Sequence, residues 1–261
     1  MADSGTVISD GMAEVLRRLH LDAPGDPASA WARVLGAEGV ALTLLVGAER
    51  TPEPMWCHPE LSARFEELQF TLGEGPAPDA IRTGSPVLEP DLDRVRPERW
   101  PALLSAAAKL GVHGVCCFPL GIGAIRVGVL TVLCDGKRGM GAQQCADAGA
   151  LAAALTSAFL GGDARRDGDG SALGVPEPAS GLHRPAVHQA TGMISVQLGV
   201  SMQEALLRLR AHAYGSERPL GEVAQDVVAR RLRFHDDLTD DFDDDFDDDG
   251  SGPHSPDGGK G

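Results

Sequence analysis

The chain has 261 residues, with 38 Asp and Glu against 23 Lys and Arg and a formal charge of −15. That length holds one medium and one small domain. No apolar run reaches the ~18 residues of a membrane span, and the start, MADSGTVISD, lacks the basic and apolar regions of a signal peptide, so the expectation is a cytoplasmic protein with no membrane partner.

In chain order, Met12, Val15, Leu16 and Leu19 predict a short amphipathic helix over 11–19, and residues 28–35 predict a second. The run GVALTLLV at 39–46 is β-branched and apolar, which predicts a buried strand. Residues 55–59 are broken by proline and are read as a connection. Residues 60–70 are read as a helix or an irregular segment. LGEGP at 72–76 is a turn into a helix through Ala80 and Ile81. A short strand follows at 87–89, then an Asp/Arg-rich turn at 91–96 and a helix at 97–110.

The strongest β signal is two apolar runs, 112–119 and 125–134, joined by the Gly-bearing loop at 120–124. An Ala/Leu helix over 142–159 closes this part. The order predicts an α+β domain, an antiparallel sheet with helices on its faces, over 1–160. Residues 161–182 are rich in Gly, Asp and Pro and are expected to form a flexible linker.

Three helices are predicted over 183–234. In the first, Val187, Ala190 or Thr191, Ile194 and Leu198 share one face; Pro185 suits its first turn and Gly199 its end. Ser201 and Glu204 form a capping box that opens the second, with Ala205, Leu206, Leu209 and Ala213 inside. The third carries Leu220, Val223, Ala224, Val227, Val228 and Leu232 inward.

These residues also resemble a family. QATG at 189–192, LGVS at 198–201, ALLRLR at 205–210, Ala213, RPL at 218–220, Val223-Ala224 and Val227-Val228 fall in the order and spacing of the ANTAR domain. The resemblance implies an RNA-binding output module of a bacterial antitermination regulator. Thr191 departs from it, since many members carry Lys there. GVCCFPL at 114–120, RVGVLTV at 126–132, the Ala-rich helix and the LGEGP turn resemble a GAF domain. That resemblance implies a sensor that binds a small molecule or mediates dimerisation, in an arrangement familiar from actinobacteria. A homodimer is expected. A glycine-rich linker disfavours rigid helical transmission and favours control by dimer geometry or by masking of the output surface.

Charge is unevenly spread. Residues 183–234 hold seven Arg against three Glu and one Asp, whereas 235–261 hold eleven Asp and one Lys. The three-helix module is therefore locally basic. Loop bases in RNA offer faces and edges, and phosphates demand cations. The candidate RNA-binding set is Gln189, Ala190, Thr191 and Gly192 as the reading segment, with Arg208, Arg210 and Arg218 on phosphates. Arg230, Arg231 and Arg233 extend a basic edge, or else complement the end of the third helix. Tyr214 stacks on a base or caps the core.

The acidic tail, 235–261, is low in complexity and is read as disordered. It is either solubilising or an RNA mimic that masks the basic surface. No P-loop, G-x-S-x-G, H-E-x-x-H or catalytic carboxylate pair occurs, so a non-enzyme without cofactor or metal is expected. His113 and Cys116 are candidates to line a pocket in the sensor, the bland reading being a core or edge histidine and a buried thiol. The five cysteines, Cys57, Cys116, Cys117, Cys134 and Cys145, form no CxxC pair and are read as small buried side chains. Two further readings stay open: a helix-turn-helix that binds DNA, and a partner- or ligand-binding regulator whose ANTAR part is degenerate.

Overall fold

The computed structural model of the protein describes residues 7–20, 27–47, 49–162 and 184–235. Most of the expected linker and all of the acidic tail after His235 lie outside the described residues.

Five strands form one antiparallel sheet in the order β2-β1-β5-β4-β3. They are β1 (Gly39–Val46), β2 (Thr51–His58), β3 (Val87–Glu89), β4 (Gly114–Ile122) and β5 (Ile125–Cys134). The central strands are apolar on both sides because both faces of the sheet are covered. On one face Val40, Leu42, Cys116, Phe118, Leu130 and Val132 pack against α1 (Asp10–His20), α2 (Pro27–Leu35) and α6 (Ala142–Gly162). On the other face Val115, Cys117, Val129 and Leu133 meet α3 (Glu60–Leu72), α4 (Pro76–Thr83) and α5 (Pro101–Leu110). The expected α+β, antiparallel-sheet architecture holds.

The sequence reading misses β2. Pro52 and Pro54 argue against a strand, but β2 is an edge strand, where a missing N–H costs no ladder bond on the open side. Register passes from Leu42↔Trp56 to Thr43↔Pro54, leaving Met55 as the extra residue of a bulge. The helix expected over 97–110 starts only at Pro101, after a turn.

The LGEGP turn is structural. Gly73 ends α3 in the left-handed conformation, and Gly75 has φ 135, where an added Cβ would lie 2.6 Å from Gln69 Oε1. Glu74 Oε1 accepts from the backbone N–H groups of Ala102 and Leu103, at 2.8 and 2.9 Å, and so caps α5.

The C-terminal module comprises α7 (Pro185–Leu198), α8 (Met202–Gly215) and α9 (Leu220–Val228). Its caps follow the sequence: Pro185 lies in the first turn of α7, Gly199 ends it at φ 64, and Ser201 Oγ accepts from the Glu204 N–H at 3.2 Å. The third helix stops at Val228 rather than running to Leu232. The Arg231 N–H donates to the Asp226 carbonyl, and Arg230 takes φ 59, so the basic edge is a turn folded back on the helix end.

Candidate functional site

Phe70, near the end of α3, joins the two bodies. Its side chain is 5 % exposed and belongs to the same apolar cluster as Val187, Ile194, Leu209 and Val227 of the three-helix module. Helix periodicity does the rest. On α7, Arg184, Val187, His188 and Thr191 recur at the spacing of one face, and that face lies against the sheet domain. On α8, Gln203, Leu206 and Arg210 do the same.

Two guanidinium groups lie over the Phe70 ring, Arg184 at 3.9 Å and Arg210 at 4.5 Å from its centroid. Arg184 is paired: its Nε donates to Glu67 Oε2 at 2.6 Å and its Nη1 to the Pro52 carbonyl at 3.1 Å. His188 Nε2 meets Glu53 Oε1 of β2 at 2.7 Å. Arg210 differs. Among the described residues it forms no ion pair, and its buried Nε has no hydrogen-bond partner. Burial and then the neighbouring Arg184 pull its pKa down to about 10.

These contacts enclose a cavity of about 570 Å³. Thr43, Leu45 and Val129 supply its sheet wall, Glu66, Gln69 and Phe70 come from α3, and Ala77, Pro78 and Ile81 come from α4. Val187, His188 and Thr191 of α7, with Met202, Gln203, Leu206 and Arg210 from the α8 side, cover it. Deep inside, Thr43 Oγ1 donates to Glu66 Oε2 at 2.6 Å and Gln69 Nε2 to Glu66 Oε1 at 3.1 Å. Burial raises the Glu66 carboxyl above the ordinary range, against the effect of these hydrogen bonds.

The expected site residues do not form one surface. Gln189 is exposed, Gly192 is half-buried, and Ala190 and Thr191 are buried. The Thr191 hydroxyl donates to the Val187 carbonyl at 2.7 Å, and its side chain faces the cavity. Arg208 pairs with Glu204 at 3.1 Å, on a different side of α8 from Arg210. Arg218 and Arg231 both hold Asp226, each at 2.7 Å, and lower its pKa. Arg230 and Arg233 are exposed, as is Tyr214.

Neither candidate for the sheet-domain pocket lines the cavity. His113 is exposed before β4, and Cys116 is buried on the opposite face of the sheet, among the α1, α2 and α6 contacts. The alternation of Cys116 and Cys117 does hold: Cys117 faces α3, where burial and then Glu66 push its thiol pKa well up. Among the described residues no three His, Cys, Asp or Glu side chains are grouped to hold a metal, and no helix is long and apolar enough to cross a membrane. Phe70, Glu53, Glu66 and His188 escape the sequence reading as site residues. No local signal marks them, because each contact spans the two bodies or lies inside the first.

Residues 182–228 match the family profile of the ANTAR domain. No curated protein matches the chain. Among solved structures, the chain is similar to the GAF domain of a phosphoenolpyruvate-protein phosphotransferase from Coxiella burnetii, at 18% identity and a TM-score of 0.43, covering 60% of this chain and 98% of that one. It is also similar to the GAF domain of the Acinetobacter phosphoenolpyruvate-protein phosphotransferase, at 14% identity and a TM-score of 0.45 over 62% and 100%. A third is free methionine-R-sulfoxide reductase from Neisseria meningitidis, solved with its substrate, at 19% identity and a TM-score of 0.36 over 58% and 91%. The chain thus carries an ANTAR domain behind a five-stranded antiparallel-sheet domain.

Proposed function

We propose that this chain is a cytoplasmic, non-catalytic regulator of transcription antitermination. Its ANTAR domain binds hairpin loops in nascent RNA, and its sheet domain acts as a GAF-type sensor that takes a small molecule or mediates homodimerisation. Binding holds the RNA in a form that competes with a terminator. The observation that carries this reading is the family match over 182–228, in a module with seven Arg against four acids.

The packing supports control by masking. Thr191 and Arg210 lie against the sheet domain, while Gln189, Arg218, Arg230, Arg231 and Arg233 are exposed. RNA first meets the exposed basic residues, and full engagement of the reading segment requires α7 to leave the sheet domain. The helix-turn-helix alternative is disfavoured because Val223, Ala224 and Val227 of α9 are buried in the module core, leaving Glu222 and Gln225 outward rather than a row of base-reading side chains.

The test is binding of the full chain to a two-hairpin RNA and to matched duplex DNA across a salt series. The expected result is a preference for RNA whose affinity falls with salt, with Arg218→Ala and Arg230→Ala each reducing the slope by about one phosphate contact. Equal or negligible binding to both nucleic acids overturns the RNA reading and favours a partner-binding regulator with a degenerate ANTAR domain.

A further inference from the structure

We propose that the cavity between the sheet domain and helices α7 and α8 binds a small organic anion, a carboxylate with an apolar body, whose charge is met by Arg210 of the ANTAR domain. The inference gives the sensor reading a ligand class and a location, and it rests on that reading only for its regulatory meaning.

Arg210 carries the argument. Arg210 is half-buried, and a part of a cation taken out of water is costly unless a counter-charge or an acceptor replaces its hydration. Among the described residues Arg210 forms no ion pair: its buried Nε has no hydrogen-bond partner, the Phe70 ring lies 4.5 Å from the guanidinium, and Glu67, the acid that acts on it through space, is bound to Arg184. A ring face attracts a cation but does not neutralise it. Arg184 over the same ring makes the local charge more positive.

The nearby acids are engaged elsewhere. Glu67 holds Arg184 at 2.6 Å, Glu53 meets His188 at 2.7 Å, Glu66 accepts from Thr43 and Gln69, and Glu49, which also lines the cavity, is exposed and forms no ion pair with Arg210 among the described residues. Glu66 is also buried and has a raised pKa, which makes it a poor counter-charge. The missing partner of Arg210 is therefore an anion supplied from outside this set.

The surroundings define what carries that anion. A cavity of about 570 Å³ lies within the range of small-molecule sites. Leu45, Ile81, Val129, Val187 and Leu206 make most of its wall apolar, which suits a hydrocarbon or aromatic body. Of the two lining guanidinium groups without an ion pair among the described residues, Arg50 is exposed and donates to the Arg126 carbonyl, which leaves Arg210 to match a single carboxylate; inorganic phosphate, with more charge and no apolar part, would leave those walls unfilled. Because Arg210, Val187 and Leu206 come from one body and Leu45, Ile81 and Val129 from the other, the site is complete only when the two are joined.

The experiment titrates the full chain, without RNA, with benzoate, phenylacetate and octanoate, each against its neutral amide, and with inorganic phosphate. Calorimetry and thermal melting are the readouts. The expected result is saturable one-to-one binding of at least one carboxylate, at least tenfold tighter than its amide. Arg210→Met is expected to lose at least tenfold in that affinity while the ligand-free protein melts no lower. Ile81→Trp keeps Arg210 but fills the cavity, and it too is expected to lose binding. The proposal is overturned if acid and amide bind equally, if no carboxylate binds, if phosphate binds as tightly as the carboxylates, or if either variant retains full affinity. RNA affinity is read on separate samples without anion, so failure of the RNA reading and failure of this one are distinguishable.

Discussion

His188 Nε2 lies 2.7 Å from Glu53 Oε1, tying the first ANTAR helix to the edge strand of the sheet domain across 135 residues of sequence. Glu53 is 1 % exposed. A carboxylate so placed depends on its donors. His188→Ala removes this donor from a buried acceptor, at a cost of about 1–3 kcal/mol. Hydrogen exchange is expected to quicken over residues 184–198 while β4 and β5 stay protected. Unchanged exchange in α7 would show that this contact does not hold the joint.

Phe70→Ala cuts deeper. The ring fills the module core and lies under two guanidinium groups, so its loss leaves a cavity and removes the ring face from Arg184 and Arg210. A cost of about 3–5 kcal/mol is expected by chemical denaturation. Separate melting of the two bodies is the expected signature; a single transition at the original midpoint would contradict it.

Glu66 makes stability depend on pH. An acid whose pKa is raised on folding favours the folded state most when protonated in both states, below its ordinary value of 4.5. That stability is lost as pH rises from there through the folded value. Glu66→Gln removes the loss. The variant is expected to match the parent near pH 4 and to melt several degrees higher at pH 7, at about 2–4 °C per kcal/mol. Parallel pH profiles for the two proteins would refute this.

Anion and RNA should compete if both draw on Arg210 and on the face of α7 that meets the sheet domain. By linkage, a saturating carboxylate weakens RNA binding by the same factor by which RNA weakens the carboxylate, on the order of 5–150-fold. Fluorescence anisotropy with and without the anion measures it. Independent binding would mean that the exposed basic residues suffice for RNA.

The tail gives a prediction from charge alone. Residues 235–261 hold eleven Asp and one Lys directly after the basic edge. At ~0.15 M salt the Debye length is ~8 Å, so a polyanion acts there only because it is tethered. The protein ending at residue 234 is expected to bind RNA more tightly and with a steeper salt dependence than the full chain. Equal affinities would leave the tail a solubilising segment.

The sequence by itself determined the parts whose signals are local. Pro185, Gly199 and the Ser201–Glu204 box mark the ends of α7 and α8 because a helix end must satisfy its own free N–H and C=O groups within a few residues. The β4–β5 hairpin and the opposite facing of Cys116 and Cys117 follow from a two-residue period. Strand β2 was hidden because its prolines are tolerable only at a sheet edge, and edge position is a property of the assembled sheet. The end of α9 was hidden because Asp226 draws back both Arg218 and Arg231.

Only the tertiary structure decided the site. Helical period shows that Leu206 and Arg210 share a face, but it is silent on what covers that face. The same arginine reads as an RNA contact on an isolated helix and as a half-buried cation with an unpartnered Nε once Phe70 and the sheet domain lie against it. Its electrostatic meaning depends on surroundings brought together from more than a hundred residues away, and no local pattern encodes that distance.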